Sequence, residues 1–473
     1  MLEIANTLNG LIWSSGLIIL CVGAGIYFSI ITGFLQVRYF KDMLRLLFTD
    51  SSSKKGVSSF QAFTIALSGR VGTGNITGVA TAITMGGPGA VFWMWMIAFL
   101  GAASAFIEAT LGQIYKTQEG GQYRGGPAYY IEKGLGMRWY ALLFAFVTVL
   151  STAYFLPGVQ SNSIAASMKN AFDIPVEVTG FGIAVLLGVV IIGGVRRIGK
   201  VAEYVVPFMA GGYILMAIII IVLNFHRIPE VFALIFKSAF GAEQAFAGVL
   251  GAAISWGVKR GVYSNEAGQG TAPHAAAAAE VSHPAKQGLV QAFSVYVDTL
   301  LICTATAFII LFTGQYNVVN PDGGFLVENV PGLEMGTSST QAAVNKHFPT
   351  IGNGFVAIAL LFFVFTTIMA YYYIAETNLA YLLKNKTNKP LLWLLRALIL
   401  FSTFYGAIRT AELAWALGDI GVGLMAWLNI IAIFFLRKPA MIAWKDYQDQ
   451  RKKVIDPVFD PKKLGIKNAE IWE

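Results

Sequence analysis

Apolar runs long enough to cross a lipid bilayer recur from residue 11 to residue 435, and this repetition constrains the fold more than any other feature. About 18 to 20 consecutive apolar residues span the hydrocarbon core as a helix. Charge and Gly/Pro punctuation divides the runs into eleven candidate spans, near 11–33, 57–84, 88–115, 139–158, 177–193, 201–223, 242–280, 286–313, 351–382, 391–409 and 413–435. Only 13% of the 473 residues are charged, against roughly a quarter in soluble domains. An all-α membrane protein of about eleven transmembrane helices is expected, and a soluble enzyme with one anchor is excluded. The first run follows "MLEIANTLNG", which lacks the positive residues of a secretory signal, so it reads as a retained span.

Basic residues alternate from one connection to the next. The connections after the first, third, fifth, seventh and ninth spans, together with the tail from Arg437, hold about 27 of the 34 Lys and Arg when Lys259 and Arg260 are counted with Lys286. The positive-inside rule then puts the N-terminus outside and the C-terminus in the cytoplasm of a multi-pass plasma-membrane protein. This placement accounts for the net charge of +8 without a nucleic-acid partner. Residues 314–350 read as a solvated loop, with a partly ordered lid as the alternative. The tail "RKPAMIAWKDYQDQRKK" reads as an interfacial helix on the lipid bilayer or as a solvated basic segment. Cys21 and Cys303 fall inside apolar segments and suggest small core side chains rather than a disulfide.

With the first span set aside, ten remain, five and five. Segments 1–56, 57–223, 242–435 and 436–473 are the expected units: an extra helix with its loop, two repeats, and a basic tail. The first span of each five is interrupted, by "SGRVGTGNITGV" at 68–79 and by "SWGVKRGVYSNEAGQG" at 255–270. Interrupted helices at matching positions of two halves point to the binding site of an inverted-repeat transporter. Unwinding at membrane depth frees N–H and C=O groups; the amides suit a carboxylate, and the carbonyls suit a cation. Gly72 and Gly74 permit such a break, and Thr73, Asn75 and Thr77 add oxygens. Small-residue helix packing through Gly74 and Gly78 is the competing reading. "FVFTTIMAYYYIAETN" offers Thr366 and Thr367 as cation ligands, although paired threonines in a span more often bond back to their own helix.

"SGRVGTGNITGVATAITMGGPGAVFWMW", "GGQYRGGPAYYIEKGLG" and "WGVKRGVYSNEAGQGTAPHAAAAA" resemble the alanine or glycine:cation symporter family. The resemblance covers essentially the whole chain. It implies a fold similar to the leucine transporter's five-plus-five inverted repeat with one added N-terminal helix. It also implies uptake of small neutral amino acids coupled to sodium ions or, in some members, to protons. Carried over by position, the substrate site is Gly72, Thr73, Gly74 and Asn75 facing Trp256, Val258 and Val262. The sodium site uses backbone near Val71 and Gly74 with Thr366 and Thr367. Relatives carry a bulkier aromatic at the position of Val258, so glutamine or asparagine joins alanine and glycine as an expected substrate.

Arg70 lies inside a span and needs a partner or a wet cavity, with Glu108, Glu203, Glu266, Asp298 and Glu376 as candidates. Glu266 is also the nearest acidic residue to Lys259 and Arg260. His226, His274, His283 and His347 form no ligand pattern, and no P-loop occurs, which argues against an enzyme with an organic cofactor or an ATP site. A channel is the other alternative, disfavoured by paired interruptions at inverted positions. Nothing in the sequence indicates the oligomeric state.

Overall fold

The computed structural model describes residues 2–48, 56–119, 121–384, 388–453 and 456–472. Parts of the expected basic connections, Lys54 and Lys55 with residues 385–387, lie outside the described residues.

Helices α1 (Leu2–Ile12) and α2 (Ser15–Ile31) form one apolar pair bent by 41°. An interrupted helix follows, α3 (Ser59–Arg70) and α4 (Val79–Gly86) separated by an unwound stretch and a π-turn over Gly74–Gly78. Four continuous helices come next: α5 (Gly89–Ile114), α6 (Arg138–Phe172), α7 (Val176–Ile191) and α8 (Gly194–Leu223). A hairpin of β1 (Thr117–Glu119) and β2 (Gln122–Arg124) joins α5 to α6. After the connecting helix α9 (Ile228–Ala239), the pattern recurs: interrupted α10 (Leu250–Asn265) and α11 (Ala272–Ala278), then α12 (Pro284–Thr313). Hairpin strands β3 (Asn317–Val319) and β4 (Phe325–Glu328) and helix α13 (Thr337–His347) precede α14 (Gly352–Leu382), α15 (Lys389–Ile408), α16 (Ala411–Phe435) and α17 (Arg437–Lys452). Seven of these helices are individually long and apolar enough to cross a membrane; the bent pair, the two interrupted helices and the shorter α7 occupy the other predicted stretches.

The two interrupted helices run antiparallel. Val57, just before α3, exchanges main-chain hydrogen bonds with Ala278 and Glu280 at the far end of α11, so the start of one adjoins the end of the other. Around them α5 packs on α12, α10, α11 and α2, while α6 packs on α14 and α15, and α7 on α15. The first group carries the breaks, and the second forms a neighbouring wall. Large apolar side chains project outward from α7, α8 and α15, among them Phe181, Phe208 and Phe401, each more than half exposed. Such a belt belongs against lipid.

Several expectations need correction. Helix α6 runs to Phe172 rather than ending near residue 158, because the polar side chains of Gln160, Ser161, Asn162, Ser163 and Ser167 are buried among neighbours, and only the last turn meets solvent. Residues 314–350 are largely ordered: Gln341 of α13 donates to Ser167 O at 3.1 Å and Asn353 O at 3.2 Å, fixing that segment to α6 and α14. The tail is docked on the protein. Ala440, Ala443, Trp444 and Tyr447 of α17 are buried at the spacing of one helical face. Trp444 Nε1 donates to Thr32 O at 3.3 Å, and Trp472 Nε1 donates to Gln113 O at 2.9 Å. The N-terminal segment "MLEIANTLNG", given no structure above, is mostly the helix α1.

Candidate functional site

Helix α3 starts at a capping box of Ser58 and Gln61 and ends at Val71, whose N–H still bonds Leu67 O. Beyond it the main chain leaves the helix. Gly72 N–H donates to Asn75 Oδ1 at 2.8 Å, and Thr73 N–H donates to Gln160 Oε1 of α6 at 2.9 Å. Glycine is required at position 72: a Cβ there would lie 2.5 Å from Thr367 Oγ1 and 2.8 Å from Gln160 Oε1. Asn75 Nδ2 donates to Asp298 Oδ1 at 2.6 Å, and Ser264 Oγ sits 3.0 to 3.1 Å from both oxygens of that carboxylate. All of these residues are buried. The hydroxyls of Thr73 and Tyr263 are buried without a hydrogen-bond partner among the described residues.

The carbonyl side of the break faces α14. Thr367 Oγ1 lies 2.9 Å from Ser68 O, 3.1 Å from Val71 O and 2.8 Å from Phe363 O. One hydroxyl proton serves one acceptor at a time, so oxygen lone pairs outnumber donors here, an arrangement that suits a cation. Of the four residues expected around sodium, Val71 and Thr367 are brought together. Thr366 turns to Phe362 O, Phe363 O and Met209 Sδ, and Gly74 packs against Tyr263 and Ser264 instead.

The second break occupies only the end of the interrupted stretch 255–270. Residues 255–265 stay helical, and the chain unwinds only after Asn265, with positive φ at Glu266, Gly268 and Gly270. Its freed amides have a resident carboxyl acceptor. Glu108 of α5 accepts the N–H of Gly268 at 3.3 Å and of Gly270 at 3.1 Å, and Asn429 Nδ2 at 2.7 Å. Glu266 accepts Thr271 Oγ1 at 2.7 Å.

Because α10 is intact through residue 265, Lys259 and Arg260 sit on the opposite face of the molecule from Lys286 and the tail. Lys286 pairs with Asp456 at 2.8 Å, whereas Lys259 and Arg260 meet Asp419 of α16 at 2.7 and 2.6 Å. Their expected acidic neighbour, Glu266, is not the partner, and the basic tally for the tail side falls from about 27 to about 25. Trp256 and Thr77 line a cavity of about 530 Å³ on this face together with Lys259, Arg260 and Asp419. Thr77 Oγ1 also contacts Thr337 Oγ1 at 2.6 Å. Val258 and Val262 are buried and do not line it; at 100° per residue they lie on the side of α10 away from Arg260.

Arg70 Nη1 donates to Gln291 O at 3.2 Å and to Ser294 Oγ. Of the expected acidic candidates, Glu266, Glu108 and Asp298 are its near neighbours. Glu203 and Glu376 are engaged elsewhere, with Gln61 and Arg124. Cys21 and Cys303 are both free and buried, as expected, and Cys303 Sγ lies 3.3 Å from Asn75 Nδ2. Sequence reading missed Gln160, Tyr263, Ser264 and Asp419. Two signals were available: Asp419 is an acidic residue within an apolar span, and Gln160 follows a proline that need not end a membrane helix.

The profile of the sodium:alanine symporter family matches residues 1–461. The chain belongs to that family. It is similar to the carrier protein YrbD of Bacillus subtilis (strain 168), at 62% identity over 100% of this chain and 98% of that protein. A sodium/proton-dependent alanine carrier protein of Bacillus sp. (strain PS3) is 55% identical over 91% of this chain and 97% of its own length. Among solved structures, a substrate-bound, outward-open Na+-coupled sialic acid symporter aligns with a TM-score of 0.53 at 12% identity, covering 98% of this chain and 96% of that one. That likeness concerns the fold, a helical inverted repeat of the leucine-transporter type. As a member of the sodium:alanine symporter family the chain is a multi-pass membrane protein, and its two breaks are chemically unequal: the amides of one meet the carboxyl group of Glu108, those of the other the neutral amide oxygens of Asn75 and Gln160.

Proposed function

We propose that this protein is a secondary active symporter that imports small neutral amino acids, alanine and glycine foremost, with sodium as the coupling ion. One observation carries the reading: the break after Arg70 turns the amides of Gly72 and Thr73 out of the helix while gathering the carbonyls of Ser68 and Val71 on Thr367. Donors for a carboxylate and acceptors for a cation thus lie within one turn of chain. The unpartnered hydroxyls of Thr73 and Tyr263 supply further polar contacts. In this reading Gly72, Thr73, Gly74 and Asn75 form the substrate cradle, and Val71 and Thr367 contribute to the ion site. Membership of this family and the names of its relatives favour transport over catalysis.

The N-terminus is assigned to the outside and the tail to the cytoplasm on the basic bias. The 530 Å³ cavity then opens outward, and alternating access proceeds by rocking of the group that carries the breaks against the wall of α6, α7, α14 and α15. An ion that orders the stretch binding the carboxylate tightens substrate binding, and the substrate tightens ion binding by the same factor. One cation entering down about 100 mV and a tenfold gradient supplies about 2.3 plus 1.4 kcal/mol, enough for accumulation of a few hundredfold.

The test is uptake of labelled L-alanine by proteoliposomes under an imposed sodium gradient. Saturable accumulation that vanishes when choline replaces sodium supports the reading. Accumulation driven equally by a pH gradient in choline would make the protein a proton symporter, and ohmic current without accumulation would make it a channel.

A further inference from the structure

Where α2 ends, the chain turns along the face that carries the tail. Two short helical segments follow, Leu35–Arg38 and Phe40–Leu46. One side of them is fixed to the protein: Leu35, Met43 and Leu46 are buried, Gln36 Nε2 donates to Ser29 Oγ of α2 at 2.7 Å, and the Tyr296 hydroxyl of α12 donates to Gln36 O at 3.5 Å. The tail backs this arrangement. Arg451 of α17 pairs with Asp42 at 2.7 Å, and the rings of Tyr39 and Trp444 meet edge to face at 4.7 Å. The other side is bare. Phe34, Val37, Phe40, Leu44 and Phe48 recur three or four residues apart, the spacing of one helical face, and are 40 to 73% exposed.

An apolar stripe of this size is costly in water, and its continuity with a membrane span says what covers it. Ile26 and Ile30 of α2, 45 and 60% exposed, lead directly into it, so the lipid-facing surface of the span carries on around the turn. Charge completes the pattern. Arg38, Lys41 and Arg45, all exposed, each follow a member of the stripe by one residue and so line one edge of it, about 100° around the helix. The one acidic residue here, Asp42, already meets Arg45 and Arg451. We propose that residues 34–48 form an interfacial anchor for anionic phospholipid: the five apolar side chains enter the boundary between headgroups and acyl chains, and Arg38, Lys41 and Arg45 bind the headgroup phosphates. The tail is thereby held at the membrane surface through this segment, its own apolar face being spent on the protein. Phe48 also stacks on Phe60 of α3 at 5.6 Å, which sets the anchor beside the helix that leads into the first break. Nothing in this anchor depends on the symport reading.

The test uses the full chain with a bimane fluorophore on Leu44→Cys; Cys21 and Cys303 are buried, which shields them from the reagent. The protein is reconstituted in vesicles of equimolar phosphatidylcholine and phosphatidylglycerol, with bromine on the acyl chains of one lipid or the other. Both brominated lipids should quench the fluorophore. Phosphatidylglycerol should be favoured beside it by at least about fivefold, the effect of one basic side chain at an anionic surface. Arg38→Gln combined with Lys41→Gln should bring the two lipids close to parity while leaving the quenching in place. A fluorophore quenched by aqueous iodide and by neither lipid would overturn the anchor. Equal quenching by the two lipids in the chain with its basic residues intact, or a preference that survives their replacement, would overturn the headgroup assignment. Shielding from both iodide and bromine would mean that a second copy of the chain covers the stripe, and would overturn the proposal as well.

Discussion

The side-chain carbonyl of Gln160 accepts the main-chain N–H of Thr73 at 2.9 Å. A residue of the α6 wall thereby touches the first break, whose amides are turned out of the helix, and links the two groups of helices that on the symport reading move past each other. Gln160→Ala leaves that amide to water or to the neighbouring chain. Losing the bond costs about 1–2 kcal/mol of ordering, so alanine affinity should fall roughly five- to thirtyfold. Binding measured beside a thermal melt checks this. An unchanged affinity would mean that Gln160 only fills space.

The two threonines of α14 should separate cleanly. Thr367 meets the carbonyls of Ser68 and Val71, whereas Thr366 bonds within its own helix. Thr367→Val should raise the sodium concentration for half-maximal uptake by about tenfold or more, the effect of losing one ligand worth about 1.4 kcal/mol. Thr366→Val should shift it less than about threefold. Sodium titration of uptake for both variants decides, and equal shifts would place the ion elsewhere.

Val258→Phe bears on packing rather than selectivity. The residue is buried on the side of α10 away from the cavity, so a larger ring should destabilise the protein by about 1–3 kcal/mol and leave the preference among alanine, glycine and glutamine as it was. Competition assays on whatever folded protein remains check this. A preference narrowed toward glycine would bring the valine back to the substrate.

Burial makes Lys116 a reporter of the docked tail. Its Nζ donates to Ala279 O at 2.9 Å and lies over the rings of Tyr123 and Trp472. Burial pushes its ammonium group down to about 7, against about 10.4 in an unfolded chain. Between those values the unfolded chain binds more protons than the folded one, so stability rises with pH from about 7 to about 10. The melting temperature should therefore increase between pH 7 and pH 9, and Lys116→Met should flatten the rise. A slope shared by both proteins would show that water reaches the amine.

The membrane spans and the first break were legible because lipid imposes a strict rule: apolar length sets the helix, and glycines with polar neighbours mark where it opens. "GTGN" met both conditions. The second break was drawn too wide because "SWGVKRG" looks equally breakable. What decides is the carboxyl group waiting at Gly268 and Gly270, contributed by Glu108 from another helix, and no local pattern reveals a partner that distant. The same holds for Lys259 and Arg260, whose side of the membrane depended on where the helix ended. The docking of the tail escaped notice because its buried stripe is short and mixed with charge.

Glu108 gives the second break a permanent built-in acceptor, and this makes a duplicated architecture unequal in duty. A substrate carboxylate arriving between the halves finds, on the symport reading, one landing place already taken by a covalently tethered rival, so its orientation is chosen before any side chain is read. On the symport reading, relatives that handle different cargo can then vary the walls freely while the polarity of docking stays fixed.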